Sequence, residues 1–354
     1  MEIDLDFLEA NHLIGRLKLI ELLERQSPFR DLKESVERRF SLALSRIPSE
    51  HQEAALSIFG STIYIPRQML DDTWRFLWTA FQHSMKDLSA EPEQALVLEL
   101  DRDQLRDDFY RANSMVGRLQ DNLPWRSPSD IIDVLTHLDG LNETLRHELF
   151  VALSRPVWLL LIDITLSGTS ALSELKRLRD IARILFRDGE PTKVASLIQV
   201  ATEPALSQLR QADVDYWAAI VIPSSCALAR AEYSSIGDAS MVEAMKRACA
   251  WFAEEHVIPS RYRLAQMAKD QNDVNIARYG FGGDGWNIVT HKNSPNNCLP
   301  LLWFKPPTEK YNPPFERIDS RIGPSWPGRR ESLESLLADE GAQERLRTKL
   351  REQS

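Results

Sequence analysis

The chain has 354 residues, of which 43% are hydrophobic and 27% are charged, and its formal net charge is −9. This is the composition of a globular protein, and the negative charge argues against nonspecific nucleic-acid binding over the whole surface, although a local basic groove stays open. Three dispersed cysteines without a CxxC pair argue against a disulfide scaffold or a zinc finger: Cys226, Cys249 and Cys298. The acidic N-terminus and the short apolar runs predict neither a secretory signal nor a membrane span, so we expect a cytoplasmic protein.

The first 90 or so residues are predicted to be helical. Apolar residues recur near a helical spacing in LIGRLKLIELLERQ from Leu13, DLKESVERRFSLALSRI from Asp31 and RQMLDDTWRFLWTAFQHSMKDL from Arg67. Between the last two segments, Ile63–Ile65 predicts either a short strand or the end of a helix before Pro66. We assign residues 1–90 to an N-terminal helical region.

Apolar runs then alternate with helical patterns. The runs are ALVLEL from Ala95, VWLLLID from Val157, TKVASLIQVAT from Thr192 and DYWAAIVIPSS from Asp215. The intervening helices are predicted in PSDIIDVLTHLDGLNETLRHELFVALS, which is broken at Gly140, in ALSELKRLRDIARILFRDG and in LSQLRQA. Strands and helices alternating at this spacing predict βαβ units and a parallel sheet, and all-apolar strands indicate burial on both faces.

The last third of the chain changes character twice. SMVEAMKRACAWFAEEHVIP predicts a helix, and YGFGGDGW predicts a glycine-rich turn, followed by a short strand and a polar loop that ends in the strand-like segment LPLLW. We assign residues 91–305 to an α/β core. Beyond it, dense prolines predict an extended tail and the final 25 or so residues predict a charged helix, so residues 306–354 form a third region.

A polar turn follows the second apolar run. Asp163 ends a predicted buried strand, and Ser167, Gly168, Thr169 and Ser170 lead into a helix. Ligands bind at the carboxyl edge of parallel sheets, and the amides and hydroxyls of such a turn favour a phosphate. Asp163 is then placed to accept hydrogen bonds from sugar hydroxyls or to hold a metal. A plain strand-to-helix connection capped by Ser and Thr explains the same residues, and both interpretations stay open at this point. Neither a P-loop nor a GxGxxG fingerprint is present.

This turn resembles a known motif. Asp163-Ile-Thr-Leu-Ser167-Gly168-Thr169-Ser170 is similar to the phosphoribosyl-pyrophosphate motif of phosphoribosyltransferases. The segments YGFGGDGW and HKNSPNNCLPLLW resemble those of the phosphoribosyltransferase-like proteins of bacterial conflict and anti-phage systems, the PRTase-CE type. The resemblance spans about residues 90–305. It implies a mainly parallel, Rossmann-like α/β sheet flanked by helices, to which the N-terminal helical region is added.

The resemblance also implies roles for the turn. The segment from Ser167 to Ser170 is expected to hold the 5′-phosphate of phosphoribosyl pyrophosphate or a nucleotide. Asp163 is expected to bind the ribose hydroxyls and to act in catalysis, with Mg²⁺ as the implied cofactor. The family motif has two adjacent acidic residues, whereas this chain has Ile162 at the first position, so the sequence leaves open whether the protein is an enzyme.

The segment after the first apolar run, LDRDQLRDDFYRANSMVG, is the nearest candidate for a pyrophosphate-binding loop, with Arg111, Asn113, Ser114 and Gly117. Its aspartates suggest a metal site by number alone. Arginines are interleaved with them, however, and this pattern favours a solvated helix held by ion pairs.

A polar loop near residue 295 is the second candidate region. It carries His291, Asn293, Asn296 and Asn297, whose side chains can bind a base edge, a phosphate or a second chain. His291 is the candidate acid or base, because imidazole titrates near neutral pH. Trp286 and Trp303 flank the loop, and one of them is a candidate to stack on a base. The alternative is that the polar side chains only support an irregular loop.

Two functional hypotheses follow from the resemblance. The first is a toxin-like effector of anti-phage defence that transfers or cleaves a phosphoribosyl or glycosidic bond of a nucleotide or a nucleic-acid end. The second is a non-catalytic nucleotide sensor or docking module. The implied partners are proteins of the same defence operon, namely a reverse transcriptase with its DNA product, as in a retron, or an ATPase.

Overall fold

The computed structural model of the protein describes residues 36–85, 95–100, 105–113, 125–186, 193–230, 239–260, 262–290, 295, 297–306, 311–315, 334 and 337–353. The helix predicted from Leu13 and most of the proline-rich tail lie outside these residues. In the described part, the chain divides into two compact units. One comprises Met1–Leu70 and Pro223–Arg321, and the other comprises Asp71–Ile222 and Ile322–Ser354. The regions assigned from the sequence, with boundaries near residues 90 and 305, stay a prediction.

Helices and strands alternate along the described chain. Its helices are α1 (Val36–Ser45), α2 (Ser49–Gly60), α3 (Arg67–Met85), α4 (Leu105–Ala112), α5 (Pro128–Thr136), α6 (Glu143–Leu153), α7 (Thr169–Leu185), α8 (Glu203–Gln211), α9 (Ala239–Phe252), α10 (Arg263–Asp270), α11 (Val274–Tyr279), α12 (Pro300–Trp303) and α13 (Glu340–Gln353). Its strands are β1 (Ile63–Ile65), β2 (Ala95–Glu99), β3 (Val157–Thr165), β4 (Lys193–Thr202), β5 (Asp215–Ile222) and β6 (Ile288–Thr290). The predicted break at Gly140 is confirmed, because a 3₁₀ turn at Leu138–Gly140 separates α5 from α6.

A four-stranded parallel sheet, in the order β2-β3-β4-β5, forms the centre of the second unit. Its register places Glu99 opposite Leu161, and Ile162 opposite Ile198. All four strands were predicted, and the predicted α/β class with a parallel sheet flanked by helices is confirmed. Val, Ile and Leu dominate these strands because they fit a pleated surface that is covered on both sides.

Two helical layers cover the two faces of this sheet. One face, called the α3 face, buries residues from α3 and α4 against the strands: Trp74, Leu77, Trp78, Phe81, Leu105 and Phe109 against Val97, Leu159, Leu161, Ala195 and Leu197. The opposite face, called the α7 face, buries residues from α5 to α8: Ile131, Phe150, Leu175, Leu178 and Leu206 against Leu96, Leu98, Leu160, Ile162 and Ile198. Odd-numbered residues of β2 and β3 therefore lie on the α3 face and even-numbered residues on the α7 face.

The charged C-terminal helix α13 belongs to this second unit. It packs against α6 and α7, and its Leu346 joins the cluster on the α7 face. The prediction of a charged helix near the C-terminus is confirmed over Glu340–Gln353.

The first unit contains the short parallel pair β1-β6. Ile63–Ile65 is thus a strand, which settles the two alternatives left by the sequence. The predicted glycine-rich turn is confirmed, with positive φ at Gly280, Gly282, Gly283 and Gly285. The prediction that LPLLW is strand-like is wrong, because Pro300–Trp303 forms one helical turn in which the amide of Phe304 donates to the carbonyl of Pro300 over 2.7 Å. Proline suits the first position of a helix, and this favours the turn over a strand.

Within the described part of the chain, every helix is too short or too polar to span a bilayer.

A buried asparagine connects α2 to the strand pair. Asn287 is 2% exposed; its Nδ2 donates to the Ile58 carbonyl and to Ser61 Oγ, both over 2.7 Å. Its Oδ1 accepts a hydrogen bond of 2.8 Å from Thr62 Oγ1. One side chain therefore satisfies three polar groups at the end of α2.

We expect Asn287→Ala to lower the free energy of unfolding by about 3 kcal/mol, because it removes three hydrogen bonds of a buried side chain, at about 1 kcal/mol each. Asn312→Ala removes an exposed amide, and this control should change stability by less than about 0.5 kcal/mol. Urea unfolding of both variants measures the difference. Equal effects would contradict the role assigned to Asn287.

Candidate functional site

The helices that follow β2 and β3 lie on opposite faces of the sheet. After β2 the chain enters α4, which packs on the α3 face, whereas after β3 it enters α7, which packs on the opposite face. Where the segments that follow two neighbouring parallel strands diverge in this way, a crevice opens at their carboxyl ends, and ligands of α/β proteins bind there. Two carboxylates lie near these strand ends: Glu99 is the last residue of β2, and Asp163 lies two residues before the end of β3.

Asp163 lies on the α3 face near the end of β3. Its side chain is partly exposed, and its Oδ1 accepts a hydrogen bond of 2.7 Å from the amide of Ile164. The register places Gln199 beside it on β4, since the flanking residues pair Ile162 with Ile198. Gln199 is buried and donates to Thr73 Oγ1 of α3 over 3.0 Å. A polar row therefore replaces the apolar core at this end of the face.

Ile162, at the first acidic position of the resembled motif, points the other way. It is fully buried in the cluster on the α7 face. A carboxylate there would be surrounded by aliphatic side chains and would pay a large desolvation penalty. The motif thus contributes one carboxylate to the crevice, that of Asp163.

The turn between β3 and α7 is fixed by its neighbours. Thr202, at the end of β4, donates its hydroxyl to the Leu166 carbonyl over 2.6 Å and also caps α8 by accepting from the Ala205 amide over 3.2 Å. The amide of Thr169 donates a hydrogen bond of 3.4 Å to Ser167 Oγ. Thr169 and Ser170 are exposed in the first turn of α7, where amides and hydroxyls are suited to an anion.

Gly168 makes this turn possible. Its φ is +80°, a left-handed conformation that side chains disfavour. A Cβ at this position would lie 3.1 Å from the Ala205 carbonyl oxygen and 3.2 Å from the Ala205 Cα. The turn therefore lies directly against the start of α8, and glycine is required on two grounds.

The sequence interpretation missed Glu99. This residue is 0% exposed at the end of β2 and lies on the same face as Asp163. It accepts the Arg106 amide over 3.0 Å, and Arg126 Nη1 lies 3.5 Å from its Oε1. Burial raises the pKa of the Glu99 carboxyl above its usual range, although the Arg106 amide and Arg126 act in the opposite direction. The available signal was the apolar run ALVLE, which ends in a carboxylate as VWLLLID does.

The second candidate region is described only in part. His291, Asn293 and Asn296 lie outside the described residues, so their roles stay predictions. Asn297 is described, and its carbonyl accepts a hydrogen bond of 3.3 Å from the Trp286 amide. This bond involves only the backbone of Asn297, so the role of its side chain stays a prediction.

The two tryptophans beside that loop are internal. Trp286 is 0% exposed and Trp303 is 2% exposed. The indole of Trp303 donates to the Cys298 carbonyl over 3.0 Å. The suggestion that one of them stacks on a base is wrong, because both rings are already covered by the first unit.

The acidic segment after β2 is an ion-paired helix over its described part, as predicted. Asp107 pairs with Arg126 and Asp108 with Arg111, while Asn113 Nδ2 donates to the Phe109 carbonyl over 2.9 Å. Ser114 and Gly117 lie outside the described residues, so the pyrophosphate loop stays a prediction.

No described residues form a group of three or more His, Cys, Asp or Glu side chains suited to a metal ion. Mg²⁺ commonly takes one or two carboxylates together with ligand phosphates. Asp163, as a single partly exposed carboxylate beside a phosphate-type turn, is compatible with that arrangement.

We expect Gly168→Ala to destabilise the protein by about 2 kcal/mol, because the new Cβ combines an unfavourable φ with a close contact to α8. Gly140→Ala is the matched control, since a Cβ at Gly140 meets nothing within 4 Å. Its stability should stay unchanged or rise by up to about 1 kcal/mol. Denaturant unfolding compares the two; a harmless Gly168→Ala would show that the turn is not constrained as described.

The raised pKa of Glu99 predicts a pH dependence. The folded protein holds this proton more tightly than the unfolded chain, so the stability contribution of the group falls as pH rises through the raised pKa. Glu99→Gln should therefore gain stability relative to the wild type as the pH rises above about 4, the pKa of a glutamate in the unfolded chain. Urea unfolding at several pH values measures this trend, with the exposed Glu53→Gln as a control. A stability difference that does not vary with pH would contradict the raised pKa.

Comparison of the chain with known proteins finds one matching family. A model of the PRTase-CE family matches residues 47–317. No curated protein and no solved structure matches the chain. The matched region includes β1 to β6, the turn at Gly168 and the loop at Asn297. The chain therefore belongs to the PRTase-CE family, whose members are phosphoribosyltransferase-like.

Proposed function

We propose that the crevice at the ends of β2 and β3 binds a phosphorylated ribose, as found in phosphoribosyl pyrophosphate and in nucleotides. The observation that carries this proposal is the turn at Gly168. Its left-handed φ and its close contact with Ala205 bring an exposed Ser/Thr-rich helix start to the carboxyl edge of the sheet. In this assignment, Ser167 to Ser170 hold the 5′-phosphate through amides and hydroxyls.

Asp163 has the second role. Its carboxylate lies at the same edge and is suited to accept hydrogen bonds from ribose hydroxyls. If the bond at the anomeric carbon breaks, positive charge develops on the ribose, and a fixed carboxylate stabilises that charge electrostatically. Mg²⁺, when bound, would neutralise the phosphates of the ligand, with Asp163 as its protein ligand. His291 is retained as the candidate acid or base.

Two biological roles remain in competition. In the first, the protein is an effector of bacterial anti-phage defence that transfers or cleaves a phosphoribosyl or glycosidic bond. In the second, it senses the nucleotide without turnover and docks onto partners of the same operon, such as a reverse transcriptase with its DNA or an ATPase. The burial of Ile162 favours the second role, because the motif then lacks one of its two carboxylates.

Calorimetric titration with phosphoribosyl pyrophosphate and Mg²⁺ tests the binding site. Asp163→Asn and Ser167→Ala should each weaken binding about tenfold or more, since each removes a hydrogen bond to a charged or polar ligand group. Asp72→Asn is the control, because Asp72 forms an exposed ion pair with Arg75 on α3. Wild-type protein that does not bind, or variants that bind equally well while folded, would overturn the proposal.

The same proteins separate the two roles. Release of pyrophosphate or of a free base by the wild type, abolished in Asp163→Asn, supports the effector. Tight binding without turnover, together with co-purification of operon partners, supports the sensor.

A further inference from the structure

Arg126 is held beside the carboxyl end of β2 by its backbone. Its carbonyl accepts the Glu99 amide over 2.7 Å, on the edge of β2 away from β3. Its own amide donates to Asp130 Oδ2 over 3.1 Å, next to the capping box that Ser127 and Asp130 form at the start of α5. The position of this residue is therefore fixed by both the sheet and a helix.

The guanidinium of Arg126 has two unequal acidic partners. Glu99 is completely buried, and its Oε1 lies 3.5 Å from Nη1. Asp107 of α4 has a side chain that is 49% exposed, and both of its oxygens lie 3.1 Å from Nη2. Nη1 makes a further hydrogen bond of 3.1 Å to Asp107 Oδ2. The Arg126 side chain is 33% exposed.

These partners differ in how readily they can be replaced. Glu99 is fully buried and accepts a hydrogen bond from the Arg106 amide, so its side chain is fixed and stays beside the guanidinium. An exposed ion pair contributes little net stability, because water solvates both groups when they separate. The bidentate contact between the Arg126 guanidinium and the Asp107 carboxylate has the geometry that arginine also uses to bind phosphate. Asp107 thus occupies a place that a phosphate group can take.

The spacing across the sheet suits a ligand with two phosphate positions. Neighbouring strands are about 4.8 Å apart, so the Arg126 backbone, one place beyond β2, is about 10 Å from β3 across the sheet. Glu99 of β2 lies between these positions, on the same face of the sheet as Asp163 of β3. A ribose over Asp163 would then direct its 5′-phosphate to the turn at Gly168 and a group on its anomeric carbon toward Arg126.

We propose that Arg126 binds a phosphate or diphosphate group of the ligand, that Asp107 leaves the guanidinium when this group arrives, and that Glu99 keeps the guanidinium in place. This role rests on the proposed function of the same crevice. The sequence alone indicated the segment LDRDQLRDDFYRANSMVG as the pyrophosphate-binding loop. The present proposal gives the binding of the pyrophosphate to Arg126, which lies outside that segment.

The test uses two probes, inorganic pyrophosphate and ribose 5-phosphate, in calorimetric titrations of the full chain. Arg126→Gln should weaken pyrophosphate binding about tenfold or more, because a charge-assisted pair is lost. Asp107→Asn should strengthen it several-fold, since the competing carboxylate is gone. Neither change should alter the affinity for ribose 5-phosphate, which uses the turn at Gly168. Arg183→Gln is the matched control, because Arg183 forms a surface ion pair with Asp180 on α7.

The two variants are expected to change the affinity for pyrophosphate in opposite directions, and this difference decides the test. An ion pair that only connects α4 to the start of α5 would make both variants less stable and would leave pyrophosphate affinity unchanged or lower in both. That result, or a wild type that does not bind pyrophosphate, overturns the role of Arg126. If ribose 5-phosphate still binds and Ser167→Ala weakens that binding, the proposed function survives this failure. If ribose 5-phosphate does not bind either, the proposed function fails as well.

Discussion

Burial of β3 on both faces is the constraint on which the second unit depends. A strand covered by helices on either side must be apolar along its length, and β3 is so from Val157 to Ile162. The first carboxylate of β3, that of Asp163, follows these buried residues and is partly exposed. The same constraint acts on β2, which is apolar up to Glu99. Both acids thus lie where the apolar run of their strand ends.

Alternation along β3 explains why the chain departs from the phosphoribosyltransferase motif as it does. Adjacent residues of a strand face opposite layers, so two consecutive acids cannot both lie on one face. At Ile162 the chain has an aliphatic side chain among the helices of the α7 face, and the acid of the other face is kept. The core gains apolar contacts, and the second carboxylate on the face of Asp163 is the buried Glu99 at the end of the neighbouring strand.

Much of the fold followed from local patterns. Apolar runs predicted β2 to β5, and the Ser-Gly-Thr-Ser turn was recognised because glycine and small polar residues have local conformational meanings. Glu99 and Arg126 were missed because they meet through strand register and helix placement, which no local pattern records. The segment LPLLW was mistaken for a strand, since four apolar residues fit either element and the proline at the first helical position decided the outcome. The roles of His291, Asn293 and Asn296 stay predictions.

Thr202 has a double use: its hydroxyl holds the Leu166 carbonyl and also caps α8. The turn is therefore fixed by the rigid sheet and by a helix start before any ligand arrives. Because the turn is already ordered, binding of a ligand would lose little free energy to ordering it. In the proposed phosphate site, selectivity would therefore come from geometric fit rather than from closure of a loop, and ligands that differ by the position of a single phosphate would differ in affinity.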